Sequence, residues 1–439
     1  MRESPTTSIG LLKKCTAAWR SILSEWKPLC VVFVWGTALR VLYFAATSFE
    51  DRSYDSSSHV NYMNYVIQHF RIPPANIGWE MHQPPLYYFL TASWVKLGIF
   101  VGRSIPSMSI DIRLFSLLLS IGMLVVILWI AAILFPAPQQ RWQATVFALV
   151  AGTLPGIVMA ATRINNDVLA FFLSFLWCAF MLRWWRDGRS RDFWWAVVLL
   201  GIGMVTKFTA GVLALPMALM IFARSGIFLR RKFSLMFGLI CGMVALSGWY
   251  FLLWSFEYMQ NLATGGAGPV NAMLALNNHA RDFFIFNPLA LLMSPFAKPW
   301  DALSDRAYIW EYLFRSTFFG EWTYDNLVWL CRAIIAVGLT GLAAGVLGFV
   351  REWRTWEFTK PLAILTIVLL FLLALYRVMF PCACNEDFRF IPLLAVPVAA
   401  WAVAGFGATG RSASRWGMIF GILFAVLQSV FLLSFLITG

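Results

Sequence analysis

Charge is scarce in this chain of 439 residues: Asp, Glu, Lys and Arg together make up 13%, where a soluble domain carries about 25%. A folded surface that faces water on all sides is therefore excluded. Histidine is scarcer still, with four in all, and seven cysteines are scattered, mostly inside apolar segments. Neither a disulfide framework nor a zinc-ligand spacing can be built from them. Cys382 and Cys384 share one short loop, and a bridge from there to Cys331 stands open beside the commoner reading of buried thiols as small hydrophobes. A Gly-rich phosphate loop on a strand–helix unit is absent. So are a Gly/Ser linker, an internal repeat and a low-complexity tract, and the chain reads as a single unit over 1–439.

What fills the chain is apolar and aromatic: 60% hydrophobic residues, with 22 Trp and 39 Phe, the rings that anchor at lipid–water interfaces. The net charge of +13 comes from basic residues in short clusters between apolar runs of bilayer length. That is the pattern that orients a membrane protein. No basic patch is interleaved with polar surface, so nucleic acid is not an expected partner and the lipid bilayer is. The start, through Lys27, is polar and basic, and the apolar run after it lacks a small-residue cleavage site. It reads as an uncleaved anchor. The expected class is an all-α polytopic membrane protein.

Apolar runs fall near 29–49, 85–102, 114–135, 143–160, 168–185, 233–256, 327–350, 361–380, 389–407 and 416–437, with 193–223 interrupted by Lys207. Whether 85–102 crosses decides the side of every later loop. If it crosses, the clusters RWWRDGRSR and RSGIFLRRK both lie outside, against the positive-inside rule. The segment also opens on Pro84-Pro85 and carries Lys96, as an interfacial or re-entrant helix would. The run 193–223 has basic flanks on both sides yet is too short for two full spans of about 20 residues. It is expected to be a short hairpin with its apex, MVTKFTA, sunk below the outer surface. About eleven spans follow, with a cytoplasmic N-terminus, large outer loops at 50–113 and 257–326, and a bacterial inner membrane as the expected location.

Four polar features then share the outer side. The first loop concentrates Asp55, His59, Glu80 and His82 around a helix with an apolar stripe of Val60, Met63, Ile67 and Phe70. Asp55 there is either a working carboxylate or a helix cap. The second loop, ATRINNDVLAFF, holds Arg163, Asn165, Asn166 and Asp167, which also reads as a turn with a helix start. Lys207 is third: a sunk ammonium costs several kcal/mol unless paired or hydrated, so an anion is expected beside it, the alternative being a side chain that snorkels to the headgroups. Arg389 is fourth, at the start of an apolar segment with Pro392 and Pro397.

A carboxylate with several cations near the membrane surface suits transfer from a lipid phosphate. The carboxylate takes the proton of an attacking hydroxyl. The leaving phosphate stays anionic and needs Lys or Arg, here Lys207, Arg163 and Arg389, rather than an acid. A transporter or flippase for an anionic lipid or glycan is the rival, with the same cations lining a path; the absence of an inverted repeat speaks against it.

At these residues the sequence resembles the C-type glycosyltransferases that use lipid-carrier donors, the group of protein O-mannosyltransferases and aminoarabinose transferases. The resemblance runs over 30–400 through Y-D-S-S-S-H-V, I-P-P, G-W-E-M-H-Q-P-P-L-Y-Y, R-I-N-N-D-V-L, the Thr206-Lys207 apex and R-F-I-P-L-L-A-V-P. It implies an inverting transfer from a polyprenyl- or dolichyl-phosphate sugar to a lipid, glycan or protein acceptor. It also implies Asp55 as general base. Many members carry two adjacent acids there; here Ser56 follows Asp55, so a divalent metal is possible in the family but not indicated by these residues. Asp167 takes the place of the family's second-loop acid, orienting Lys207 or Arg163. His279 and Arg281 match basic residues of the late outer loop, and that loop, rich in Trp300, Trp310, Tyr312, Trp322 and Tyr324, is read as an acceptor-binding lid or as an aromatic belt.

Overall fold

The computed structural model describes residues 27–48, 51–103, 108–252, 278–296, 308–381, 385–407 and 410–435. Cys382, Cys384, Trp300 and the remaining parts of the late outer loop lie outside these ranges. Cys331 is a buried free thiol. Among the described residues every regular element is a helix.

Seven helices are long and apolar enough to cross a bilayer: α1 (Lys27–Ala46), α4 (Met108–Leu134), α7 (Asp167–Asp187), α10 (Leu229–Tyr250), α14 (Val328–Glu352), α15 (Thr359–Met379) and α17 (Ala413–Leu433). Taken together, α5 (Arg141–Thr153) and α6 (Pro155–Val158) are also long and apolar enough, as a broken span or a re-entrant loop bent by 59° at the break, where Pro155 has no N–H to continue the helix. The chain is a multi-pass membrane protein. The expected count of eleven is not reached by length. The shortfall lies in α8 (Ser190–Met204), α9 (Ala214–Ala223) and α16 (Ala395–Gly407), which have 15, 10 and 13 residues against the roughly 20 that a span needs.

Two of the topological expectations have local counterparts. Residues 85–102 form α3 (Leu86–Phe100), 15 residues long, which at 1.5 Å per residue is short of a hydrocarbon core about 30 Å thick. Its inner face, Tyr87, Tyr88, Thr91, Ala92 and Val95, packs on α2 (Ser56–His69) and on α4. Residues 193–223 become α8 and α9 joined through Lys207, whose backbone is extended (φ −151). The Leu86 N–H donates to the Val205 carbonyl (3.0 Å), fixing the start of α3 to that apex.

The bundle is held by close helix contacts and by one buried arginine that sequence reasoning passed over. Arg40 of α1 is fully buried. Its Nε donates to Ser120 Oγ (2.9 Å), and its Nη1 donates to the carbonyls of Gly36 (2.9 Å) and Gly152 (3.0 Å). It thereby ties α1 to α4 and α5 with most of its donors satisfied, as a charge inside a membrane bundle requires. On the other side α14 and α16 approach backbone to backbone. A Cβ on Gly405 would sit 1.9 Å from the Ala344 carbonyl, and one on Gly348 2.1 Å from the Trp401 carbonyl. Small residues at such crossings let helices pack tightly in lipid.

Gly405→Ala is accordingly expected to lower stability in detergent by about 1–3 kcal/mol through overpacking. Gly407→Ala is the control, because its Cβ would meet nothing nearer than Gln143 Nε2 at 4.0 Å. Thermal unfolding of both variants measures the difference, and equal melting would contradict the close crossing.

Candidate active site

The site lies where α7 begins, where α8 ends and where the chain leads into α16. The bend at Pro155 carries residues 162–167 inward, so that Thr162 through Asp167 are all buried. The turn and helix start that the N-N-D run suggests are thus present but buried. Asp167 is the first residue of α7, and it accepts an ion-paired hydrogen bond from Lys207 Nζ. Asn165 Nδ2 donates to its second oxygen (3.3 Å). Asn166 caps no helix with its side chain: Nδ2 donates to Gln83 Oε1 (3.0 Å) and to the Thr206 carbonyl (3.1 Å). The anion expected beside Lys207 is therefore Asp167. Only 13% of the Lys207 side chain is exposed, and it is turned inward rather than snorkelling.

Asp55 stands at the start of α2 in the left-handed region (φ 50, ψ 28), and its side chain makes no capping hydrogen bond. The helix start is satisfied by its backbone carbonyl, which accepts from the N–H groups of Ser58 (3.0 Å) and His59 (3.1 Å). The carboxylate is exposed. A residue at positive φ that is not glycine carries local strain of about 1–3 kcal/mol, and such strain collects at functional sites.

Glu80 and His59 close round this position. Glu80 is buried with Oε2 unpartnered. Burial, and then the Asp55 charge, push its carboxyl up to about 7, with Lys207, Gln83 and Arg389 opposing. His59 shares a 2.7 Å hydrogen bond with the Tyr88 hydroxyl. Burial holds its imidazole down at about 3, and it stands within the field of Asp167, Lys207 and Arg389. It is a neutral ring at working pH. His82 donates to the Trp79 carbonyl (2.9 Å), and burial lowers it to about 4.

Arg389 is placed by the short turn 388–390, whose N-cap Asp387 accepts from its backbone N–H (2.8 Å). With Lys207 it lines a narrow cleft of about 20 Å³, room for little more than a water molecule, whose other walls are mostly apolar, among them Phe171, Leu213, Leu369 and Ile391, with Ser174 and Thr209. Arg163 does not line that cleft. Its Nε donates to the Arg52 carbonyl (3.2 Å), and its guanidinium lies over the rings of Tyr54 (4.6 Å) and Trp322 (5.5 Å). Tyr54 was not anticipated. Its ring also faces Arg389 (3.9 Å), and its hydroxyl donates to Asp387 Oδ2 (3.0 Å). The available signals were adjacency to Asp55 and its place at the head of the Y-D-S-S-S-H-V stretch.

His279 and Arg281 are mostly exposed, at the start of α11 (Ala280–Phe284), and pair with Asp282 at 3.6 and 3.8 Å. Among the described residues no hydrogen bond or ion pair joins them to the Asp167–Lys207 cluster. Nor do any three of His, Cys, Asp and Glu stand together as a metal-ligand group among the described residues.

Residues 82–254, less than half of the chain, match the family model of dolichyl-phosphate-mannose-protein mannosyltransferases. No curated protein matches the chain. Among solved structures, the oligosaccharyltransferase AglB from Archaeoglobus fulgidus, in complex with an inhibitory peptide and a dolichol-phosphate, superposes with a TM-score of 0.55 at 14% identity. The match covers 94% of this chain and 56% of AglB. The chain has the C-type glycosyltransferase fold. The arabinofuranosyltransferase AftD from Mycobacteria agrees with a TM-score of 0.51 at 13% identity, over 94% of this chain and 27% of AftD. The chain thus spans little more than half of one relative and about a quarter of the other. In this C-type fold, the matched family segment begins at His82 and contains both Asp167 and Lys207.

The raised Glu80 carboxyl makes a stability prediction. It binds its proton more tightly in the folded chain than in the unfolded one. Its contribution is therefore fully present below about 4.5 and is lost as pH rises through about 7. Relative to Glu80→Gln, wild type should lose up to about 3 kcal/mol over that window. Paired thermal melts from pH 4.5 to 8 measure it, and a constant difference would contradict the buried carboxyl.

Proposed function

We propose that this chain is a membrane glycosyltransferase. It moves a sugar from a polyprenyl- or dolichyl-phosphate donor to a hydroxyl of a lipid, glycan or protein acceptor. The observation that carries this reading is the apolar cleft headed by Lys207 and Arg389. A prenyl chain needs apolar walls, and the phosphate at its head needs cations: here Arg389, and Lys207 held in place by Asp167. The dolichol-phosphate bound to AglB, which shares the fold, supports the same donor class.

The chemistry is a single displacement. The acceptor oxygen attacks the anomeric carbon while Asp55 takes its proton as general base. The bond from that carbon to the phosphate oxygen breaks, and the electron pair leaves with the phosphate. Arg389 and Lys207 hold the developing charge by charge-assisted hydrogen bonds. One displacement inverts the anomeric centre. Asp167 holds Lys207 at the cleft, while Glu80, His59 and His82 shape the pocket beside Asp55. Residues 50–113 serve as the catalytic loop, and 257–326, with His279 and Arg281, as the acceptor-side loop. The positive-inside distribution supports a cytoplasmic N-terminus and a site on the outer face of a bacterial inner membrane.

Asp55→Asn is expected to cut transfer about 10²- to 10⁴-fold while leaving undecaprenyl phosphate binding intact. The assay is sugar transfer in cells that lack the native copy. Lys207→Ala alone strands a buried carboxylate, which costs about 3–5 kcal/mol. The informative variant is therefore Asp167→Asn with Lys207→Met, expected to weaken undecaprenyl phosphate about tenfold or more. Normal transfer by Asp55→Asn removes it as base, and unchanged binding by the paired variant removes Lys207 from the phosphate site.

A further inference from the structure

Residues 52–55 form the most strained stretch of described backbone. Arg52 (φ 52) and Asp55 (φ 50) are both in the left-handed region without being glycine, and the only other such residue, Phe70, lies at the far end of α2. Something must hold this turn. Its grip is Tyr54, buried against two guanidinium groups, with Arg389 at 3.9 Å and Arg163 at 4.6 Å from the ring centre. Trp322 packs on it with ring centroids 4.9 Å apart. A Cβ on Gly320 would come within 3.1 Å of its hydroxyl, so the wall there is tight. The hydroxyl donates to Asp387, the residue that also caps the Arg389 turn, and Arg163 reaches past Tyr54 to bond the Arg52 carbonyl. Four separate segments of the chain therefore meet on one ring: 52–55, the approach to α7, the turn after α13 (Ile309–Phe319) and the approach to α16.

Two like charges gathered beside one small group would repel in a buried site. An aromatic face attracts both. Arg389 is shared between this arrangement and the cleft, where it stands with Lys207, and Tyr54 is the residue next to Asp55 in the chain.

We infer that Tyr54 is a positioning residue: by holding Arg389 at the cleft and fixing the turn that presents Asp55, it ties the phosphate site to the base. This rests on the lipid-phosphate reading above. Tyr54 touches no reacting atom in this role; it acts through Arg389 and through the backbone of Asp55.

The test uses the full-length protein in nanodiscs and undecaprenyl phosphate as probe. Tyr54→Leu should weaken binding about tenfold, while Tyr54→Phe, which keeps the ring against the guanidinium groups, should stay within about threefold of wild type. In an Arg389→Ala background, Tyr54→Leu should add less than about twofold, because its effect passes through Arg389. A merely structural tyrosine would lower the melting temperature and multiply with Arg389→Ala instead. Should Tyr54→Leu not fold, Tyr54→Met, which also lacks a ring but fills more of the space, carries the same expectation.

If Arg389→Ala weakens the probe and Tyr54→Leu does not, this inference falls and the donor reading stands. Equal losses in Tyr54→Phe and Tyr54→Leu, or full additivity with Arg389→Ala, overturn it as well. If wild type does not bind undecaprenyl phosphate, the donor reading falls and takes this inference with it.

Discussion

An ammonium at the apex of a short hairpin meets a carboxylate at the start of a spanning helix, and both are largely withdrawn from water. The side chains of Lys207 and Asp167 are 13% and 2% exposed. Removing either partner from such a pair costs about 3–5 kcal/mol, whereas the pair itself gives little net stability. Its value here is positional. It pins the break between α8 and α9 to the first residue of α7, and Asn166 reinforces the same junction through the Thr206 carbonyl. Gln83 and Leu86, bonded to Asn166 and Val205, then bring the start of α3 to that point. The loop that carries Glu80 and His82 is fixed as a consequence.

From that junction the charges divide into two groups with different work. Lys207 and Arg389 face an apolar cleft, where a phosphate can be held by cations while its tail stays out of water. Arg163 is turned away from the cleft and grips the turn before Asp55. Asp55, the proposed base, sits on strained backbone, exposed, beside a carboxyl that burial keeps protonated up to about 7. A protonated neighbour can donate a hydrogen bond to substrate without repelling the base, which suits a site whose substrates arrive with a phosphate. Neutral His59 and His82 add no further positive charge near the base.

Much of this was legible in the sequence because charge in a membrane protein is expensive and therefore informative. Lys207 interrupts an otherwise apolar run, which announced both the sunk apex and the need for an anion. The position of the basic clusters spoke against 85–102 as a span, and α3, with 15 residues, is shorter than a full span needs. Other features carried no such mark. Arg40 is held at Nε and Nη1 by carbonyls and a serine on three helices, so no acidic partner pointed to it. The N-N-D run has the composition of an exposed turn, yet the bend at Pro155 buries it. Tyr54 has neither charge nor helical periodicity to distinguish it, and its importance arises only when Arg163 and Arg389, far apart in the chain, close on its ring. The span count is not reached by helix length for a related reason: α8, α9 and α16 stop short, at the junction they help to build.

The central claim is that one cleft, headed by Lys207 and Arg389, receives a lipid phosphate beside Asp55. A cryo-EM structure of the protein in nanodiscs with undecaprenyl phosphate tests it most directly. The account predicts phosphate density within hydrogen-bonding reach of Lys207 and Arg389, about 2.7–2.9 Å for charge-assisted contacts, with the prenyl chain running along Phe171 and Leu369. Phosphate density elsewhere on the protein, with this cleft closed or filled by side chains, would contradict it.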